Sequence, residues 1–153
     1  MAPGIGIKQL FMKFLKAYCL DTPQATAATE GDTAAQARLV FCLNASGQEG
    51  AIRSALLSDG VPYAKLPVNI NNKIPQAARS AMYTQGGCYF TTARVMIVDL
   101  LTERVDARSI CGMLVFDGDR VGEMSMEAFI LKLYKRNNPH GFIKVWHCTI
   151  PPI

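Results

Sequence analysis

Short apolar runs with no polar interruption place the strongest constraint on this fold. Leu39-Val40-Phe41-Cys42-Leu43 and Met113-Leu114-Val115-Phe116 show no alternation of apolar and polar residues. A strand made from either run must therefore bury both of its faces, as strands of parallel sheets do. Between such runs lie segments of helical period. Met126, Phe129, Ile130 and Leu133 follow an i, i+3, i+4, i+7 spacing, the apolar stripe of an amphipathic helix. Leu10, Phe11, Phe14, Leu15 and Tyr18 do the same, with Lys8, Lys13 and Lys16 between them. Strands are predicted over 38–43, 63–68, 88–91, 113–116 and 142–146, and helices over 7–20, 46–57, 75–82, 93–101 and 125–136. Ser46 is the expected cap of the second helix and Pro75 the first residue of the third. The run Val95-Met96-Ile97-Val98 fits a buried strand or a buried helical turn, and is read as helix. Residues 21–37, rich in Ala, Thr and Gln without an apolar period, read as a flexible insertion. Alternating strands and helices predict an α/β fold: an open, mostly parallel sheet with helices on both faces. Ligands of such sheets bind outside the carboxyl ends of the strands. The informative loops are then 44–46, 92–94, 117–120 and 147–149.

With 153 residues the chain suits one domain and can bury roughly two thirds of its unfolded surface. Its formal net charge of +4 permits contact with phosphate backbones without requiring it. The five cysteines, Cys19, Cys42, Cys88, Cys111 and Cys148, include no Cys-x-x-Cys pair, so neither a zinc nor a redox motif is indicated. They read as free thiols in a reducing compartment. No apolar run reaches the length of a membrane span, and the first seven residues lack the basic segment of a signal peptide. The expectation is a cytosolic or nuclear protein without membrane contact. His140 and His147 are the only histidines, and neither stands near a paired carboxylate in sequence. No nucleophile–base pair is legible.

Read in order, the strand-end loops carry a resemblance. Tyr83-Thr84-Gln85-Gly86-Gly87 leads into Tyr89-Phe90-Thr91-Thr92-Ala93-Arg94-Val95-Met96-Ile97-Val98-Asp99-Leu100-Leu101. Gly112-Met113-Leu114-Val115, Glu127-Ala128-Phe129-Ile130-Leu131-Lys132-Leu133-Tyr134-Lys135 and Gly141-Phe142-Ile143-Lys144-Val145 follow. This pattern resembles the helicase-like region of XPF-family DNA repair endonucleases, most strongly over 83–146 and more weakly over 1–20 and 38–68. The resemblance implies that residues 1–153 form the first RecA-like lobe of a superfamily-2 helicase fold. The second lobe, the nuclease domain with its divalent metal such as Mg²⁺, and the region that binds the smaller non-catalytic nuclease subunit would lie beyond Ile153. The family's Glu-Arg-Lys nuclease core is not matched: Glu103-Arg104-Val105-Asp106 lacks the Lys and reads as a solvated turn. No cofactor and no metal are expected in this chain.

The resemblance also locates the remains of ATP-hydrolysis motifs. A phosphate loop needs Gly-x-x-x-x-Gly-Lys-Ser/Thr between strand and helix, so that backbone N–H groups wrap the phosphates and the hydroxyl holds Mg²⁺. The matching stretch, with Gly4, Gly6 and Lys8, has its glycines too close together, Ile7 before the lysine, and Gln9 in place of the hydroxyl. The metal and water element, normally Asp-Glu at a strand end, is reduced to Phe116-Asp117-Gly118-Asp119. In the preferred register Phe116 replaces the metal-binding Asp and Asp117 takes the Glu place; in the other Asp117 is kept but Gly118 replaces the Glu. His147-Cys148-Thr149 stands where Ser-Ala-Thr is normal. No ATP hydrolysis is expected. In related lobes a strand precedes the phosphate loop at the centre of the sheet. Its lack here predicts a gap flanked by unpaired edges, with poor solubility as the consequence.

Contacts to DNA are expected at strand-end loops and helix N-termini. Thr92 and Arg94 occupy the place of the superfamily's Thr-Pro-x-Arg element, and are candidates for phosphate contact or, alternatively, a helix cap and a salt-bridged arginine. Arg120 is a candidate clamp. Lys132, Lys135 and Arg136 share a helix face that reads as basic patch or solvated surface. Three functions are compatible with this reading: a nuclear, DNA-binding but catalytically inactive lobe of an excision-repair endonuclease acting at forks or duplex–single-strand junctions, a docking module for repair scaffold proteins, and a remnant ATPase.

Overall fold

The computed structural model describes residues 5–20, 39–45, 47–116, 118 and 121–145, with side chains of the first segment described at 10 and 12–20. The segment read as an insertion, 21–37, lies outside these residues. Strands β1 (Leu39–Leu43), β2 (Val68–Ile70), β3 (Gly87–Thr91), β4 (Ile110–Val115) and β5 (Phe142–Val145) form one sheet in the order β2-β3-β1-β4-β5. Every pairing is parallel. Helices α1 (Ile5–Leu20), α2 (Glu49–Ser58), α3 (Gln76–Gln85), α4 (Ala93–Leu101) and α5 (Met126–Asn137) complete the described fold. The expected gap is not found. The described strands pair without interruption, and the free edges are the outer sides of β2 and β5.

Burial follows from strand geometry. In β1, Leu39, Phe41 and Leu43 enter one core and Val40 and Cys42 the other, and all five are at most 1% exposed. That is why the run lacks alternation: each face meets its own apolar layer. The first core contains residues of α3, α4 and α5, among them Tyr83, Met96, Ile130 and Tyr134. Phe41 meets the Tyr83 ring edge-on at 5.2 Å. Burial pushes the Tyr89 and Tyr134 phenols up to about 12. The second core holds Leu15 and Cys19 of α1 and Ile52 and Leu56 of α2. Cys19, Cys42 and Cys88 are buried there as free thiols, while Cys111 is half-buried. Right-handed crossovers explain which helix lies on which face. The chain runs from β1 outward to β2 with α2 on one face. It then returns through β3, β4 and β5 with α3, α4 and α5 on the other.

Several boundaries differ from the sequence reading, each for a local reason. The strand expected over 63–68 is a single 3-10 turn, Tyr63–Lys65, and the strand begins only at Val68, after Pro67. Proline cannot donate to a ladder, so it stands ahead of this edge strand rather than within it. Helix α2 starts at Glu49 with Gln48 as an uncapped first residue, because Gly47 at φ 83 breaks the backbone before it; the expected cap, Ser46, lies outside the described residues. Pro75 caps α3 rather than opening it. Strand β4 begins at Ile110, earlier than the apolar run indicates. Gly112 fits within it because the Phe142 ring of β5 covers it: a Cβ there would lie 2.1 Å from the ring. Phe142 in turn stacks on Tyr18 of α1 at 4.8 Å. In α5 the buried stripe is Ile130 and Tyr134, whereas Met126 and Phe129 are 43% and 49% exposed. Ile130 and Tyr134, one turn apart, set the buried face, and the Tyr134 hydroxyl donates to the Ile110 carbonyl at 2.9 Å.

Helices α2 and α4 end alike. The Val61 N–H reaches the Leu56 carbonyl at 3.1 Å and the Arg104 N–H reaches that of Asp99 at 2.9 Å, each the long bond of a Schellman cap. The cap of α2 uses Gly60 at φ 93, but that of α4 uses Glu103 at φ 55. A side chain in the left-handed region costs about 1–2 kcal/mol. Glu103→Gly is therefore expected to stabilise the chain by up to about 1 kcal/mol, read as a higher urea midpoint at unchanged m-value. A lower midpoint would contradict the strain. The Glu103-Arg104-Val105-Asp106 segment is thus a helix cap, with Asp106 accepting from the Arg108 N–H at 2.9 Å.

Candidate nucleic-acid interface

Strands β1 and β3 are neighbours, yet their onward connections leave to opposite faces, β1 into α2 and β3 into α4. A crevice opens at the carboxyl ends of strands where this happens. A cleft of about 350 Å³ lies there, lined by residues at and just beyond the carboxyl ends of β1, β2 and β3, including Asn44, Asn69, Asn71, Thr91 and Thr92. Glu49 from the first turn of α2 and Glu127 from the first turn of α5 also reach it. Asn44 holds φ 62, a left-handed conformation that asparagine tolerates better than most residues.

Thr92 caps α4: its hydroxyl accepts from the Val95 N–H at 3.3 Å. It lines the cleft at the same time, so the two readings offered for it are compatible. Arg94, two residues on, is exposed and forms no ion pair among the described residues. The salt bridge considered for it is not present there. Lys132, Lys135 and Arg136 are exposed on α5, but Lys135 donates to the Gly141 carbonyl. Lys135 and Arg136 occupy the last turn of α5, whose following residue, Asn138, bonds the Ala107 and Ile110 carbonyls at the start of β4. They therefore stand at the amino edge of the sheet, across from Arg94 at the carboxyl edge. Lys144 lies with its ammonium 3.9 Å above the Phe14 ring.

Gly6 and Lys8 fall within α1, not in a loop between strand and helix; Gly4 lies outside the described residues. Asp117, Asp119, Arg120, His147 and the 147–149 loop also lie outside them. His140 is exposed, its N–H donating to Asn138 Oδ1 at 3.2 Å. Among the described residues no group of three or more His, Cys, Asp or Glu side chains is placed to hold a metal, and no helix is long and apolar enough to cross a membrane.

One constellation escaped the sequence reading. Asp99 of α4, fully buried, accepts from Arg79 Nε at 2.9 Å, Arg79 Nη2 at 2.6 Å and the Tyr83 hydroxyl at 2.6 Å. Arg79 Nη1 donates to the Ile74 carbonyl at 2.9 Å. The Asp99 hydrogen bond raises the guanidinium pKa further. Burial, then Asp99, push the Tyr83 phenol well up. The cluster clamps α3 to α4 and so holds the helix whose first turn carries Thr92 and Arg94.

A five-stranded parallel sheet with helices on both faces and a cleft at its carboxyl edge is the architecture of a RecA-like helicase lobe. The helicase domain of Hef from Pyrococcus furiosus matches 100% of this chain, and 35% of that one, with a TM-score of 0.53 at 13% identity, a likeness of fold alone. No family model matches the sequence. Individual relatives do. The DNA repair endonuclease XPF of Cricetulus griseus is 35% identical over 95% of this chain, as is that of Mus musculus. The DNA repair protein RAD1 of Saccharomyces cerevisiae is 41% identical over 44% of it. The chain belongs to the XPF family of DNA repair endonucleases, matching their N-terminal region. It spans 14% of the length of the Cricetulus and Mus proteins.

Proposed function

We propose that this chain is a DNA-binding lobe without ATP turnover of its own, serving an endonuclease of nucleotide excision repair in the nucleus. The observation that carries the reading is the position of Thr92 and Arg94. A helix N-terminus, a hydroxyl and an exposed cation meet at the carboxyl edge of the sheet, and such termini attract phosphate. The spacing of Gly4, Gly6 and Lys8, with Gln9 in place of the metal-holding hydroxyl, supports the lack of turnover, since a phosphate loop needs four residues between its glycines and a Ser or Thr after the lysine. The target is a fork or duplex–single-strand junction. Strand cleavage, its divalent metal and the smaller nuclease subunit belong to parts of the longer relatives that this chain does not cover.

The test is fluorescence anisotropy with forked DNA across a salt series. Three phosphate contacts would give a slope of log affinity on log salt of about −2 to −3. Arg94→Ala is expected to weaken binding to all sequences alike and to reduce the slope by about 1. Absence of salt-dependent binding rejects the reading.

A protein-docking role is favoured by a separate observation. Val98 and Leu101 of α4, and Met126 and Phe129 of α5 with Met124 before it, are 39–98% exposed, and α4 packs against α5. Leu101→Ser with Phe129→Ser abolishing capture by repair scaffold proteins, while DNA binding persists, would assign that face to docking.

A further inference from the structure

We infer that the cleft between β1 and β3 takes one unpaired nucleobase bearing an exocyclic amine, while the phosphate of the same nucleotide stays outside on Arg94. This rests on the DNA-binding reading and adds to it a preference among single strands. The lining chemistry points away from phosphate: among the described residues no Lys or Arg borders the cleft, and Glu49 and Glu127 do. Carboxylates repel an anion and accept hydrogen bonds, as Glu does from the cytosine amine. The amides add both kinds of partner. No hydrogen bond within the described structure occupies the side chains of Asn44 and Asn69. Asn71 spends only Oδ1, on the Lys73 N–H at 2.9 Å. Asn is the residue that pairs with the adenine edge through donor and acceptor together. Phe90 and Ile70 are also among the residues that border the cleft and add to its apolar part, which suits the face of a base. Its volume of about 350 Å³ is at the small end of sites for single small ligands, roughly 300–1,000 Å³, and leaves no room for a base pair with its backbone. Arg94 follows Ala93 of the lining directly, which puts a cation at the rim where the nucleotide's backbone must pass.

The test uses forks that share one duplex and differ only in the single-stranded arm, dA, dC or dT, measured by competition anisotropy on the whole chain. Thymine lacks the exocyclic amine. The dA and dC arms are expected to bind at least about fivefold tighter than dT, the low end for one good edge contact. In Asn69→Ala with Glu49→Gln, the fold checked by thermal melting, that ratio should fall to one. Equal binding of all arms with a normal salt slope overturns the base site and leaves the phosphate grip intact. Preference surviving in the double variant also overturns it. No binding of any arm removes both readings. Free deoxyadenosine competing as well as the dA arm would overturn the strand-bound source in favour of a nucleoside.

Discussion

Asp99→Ala is expected to lower the unfolding free energy by about 3–5 kcal/mol, the cost of leaving one partner of a buried ion pair behind. Asp99 is fully buried and Arg79 is 5% exposed, so water cannot replace the lost carboxylate. The Arg79 guanidinium would keep only the Ile74 carbonyl, and the Tyr83 hydroxyl would keep no acceptor. A natural domain has roughly 5–15 kcal/mol in total, so the variant should melt close to working temperature. The loss concerns the orphaned cation, not the intrinsic strength of the pair. Replacing both partners with apolar residues, Arg79→Met with Asp99→Leu, should therefore recover part of the stability, the Tyr83 hydroxyl still lacking its acceptor. Urea unfolding followed by circular dichroism reads both. A loss below about 1 kcal/mol for Asp99→Ala would mean that the cluster is wetter and looser than its geometry.

Gly141→Ala is expected to destabilise by about 3 kcal/mol, through overpacking and a displaced hydrogen bond. A Cβ at this position would lie 1.7 Å from the Tyr134 hydroxyl and 3.1 Å from Asn138 Nδ2. Neither can step aside. Tyr134 is fully buried with its hydroxyl on the Ile110 carbonyl, and Asn138 Nδ2 bonds the Ala107 and Ile110 carbonyls at 3.0 and 2.9 Å. Tyr134→Phe in the same chain removes the hydroxyl but leaves the ring carbon 2.4 Å from that Cβ. The double variant should therefore recover only part of the loss, a coupling that a double-mutant cycle measures. Full additivity of the two substitutions would show that the loop moves away from the ring.

Much of the fold was legible because its strands are two-sided. The runs at Leu39–Leu43 and Met113–Phe116 could be buried only in a parallel sheet, and the sheet is parallel throughout. The 93–101 segment is helical, with the Thr92 hydroxyl deciding a run that periodicity alone left open. The misreadings fall where local signals are weak. β2 is three residues at an edge, with Val68 and Asn69 exposed, so it carries almost no apolar pattern. Placing its end two residues early hid Asn69 and Asn71, which line the cleft. The Arg79–Tyr83–Asp99 cluster was beyond any local reading. Its members lie 16 and 20 residues apart on separate helices, and only the packing of α3 beside α4 makes them neighbours.

Apolar spacing by itself determined an α/β sheet, and the resemblance carried by the motifs of 83–146 pointed to the family and to Thr92 and Arg94, because each is written in runs of adjacent residues. Tertiary structure alone decided that Lys135 and Arg136 stand at the opposite sheet edge from Arg94, that a buried carboxylate joins two helices, and that amides from the carboxyl ends of β1 and β2 share a cleft. Those are relations between segments distant in sequence, and they are set by the order in which the strands pair.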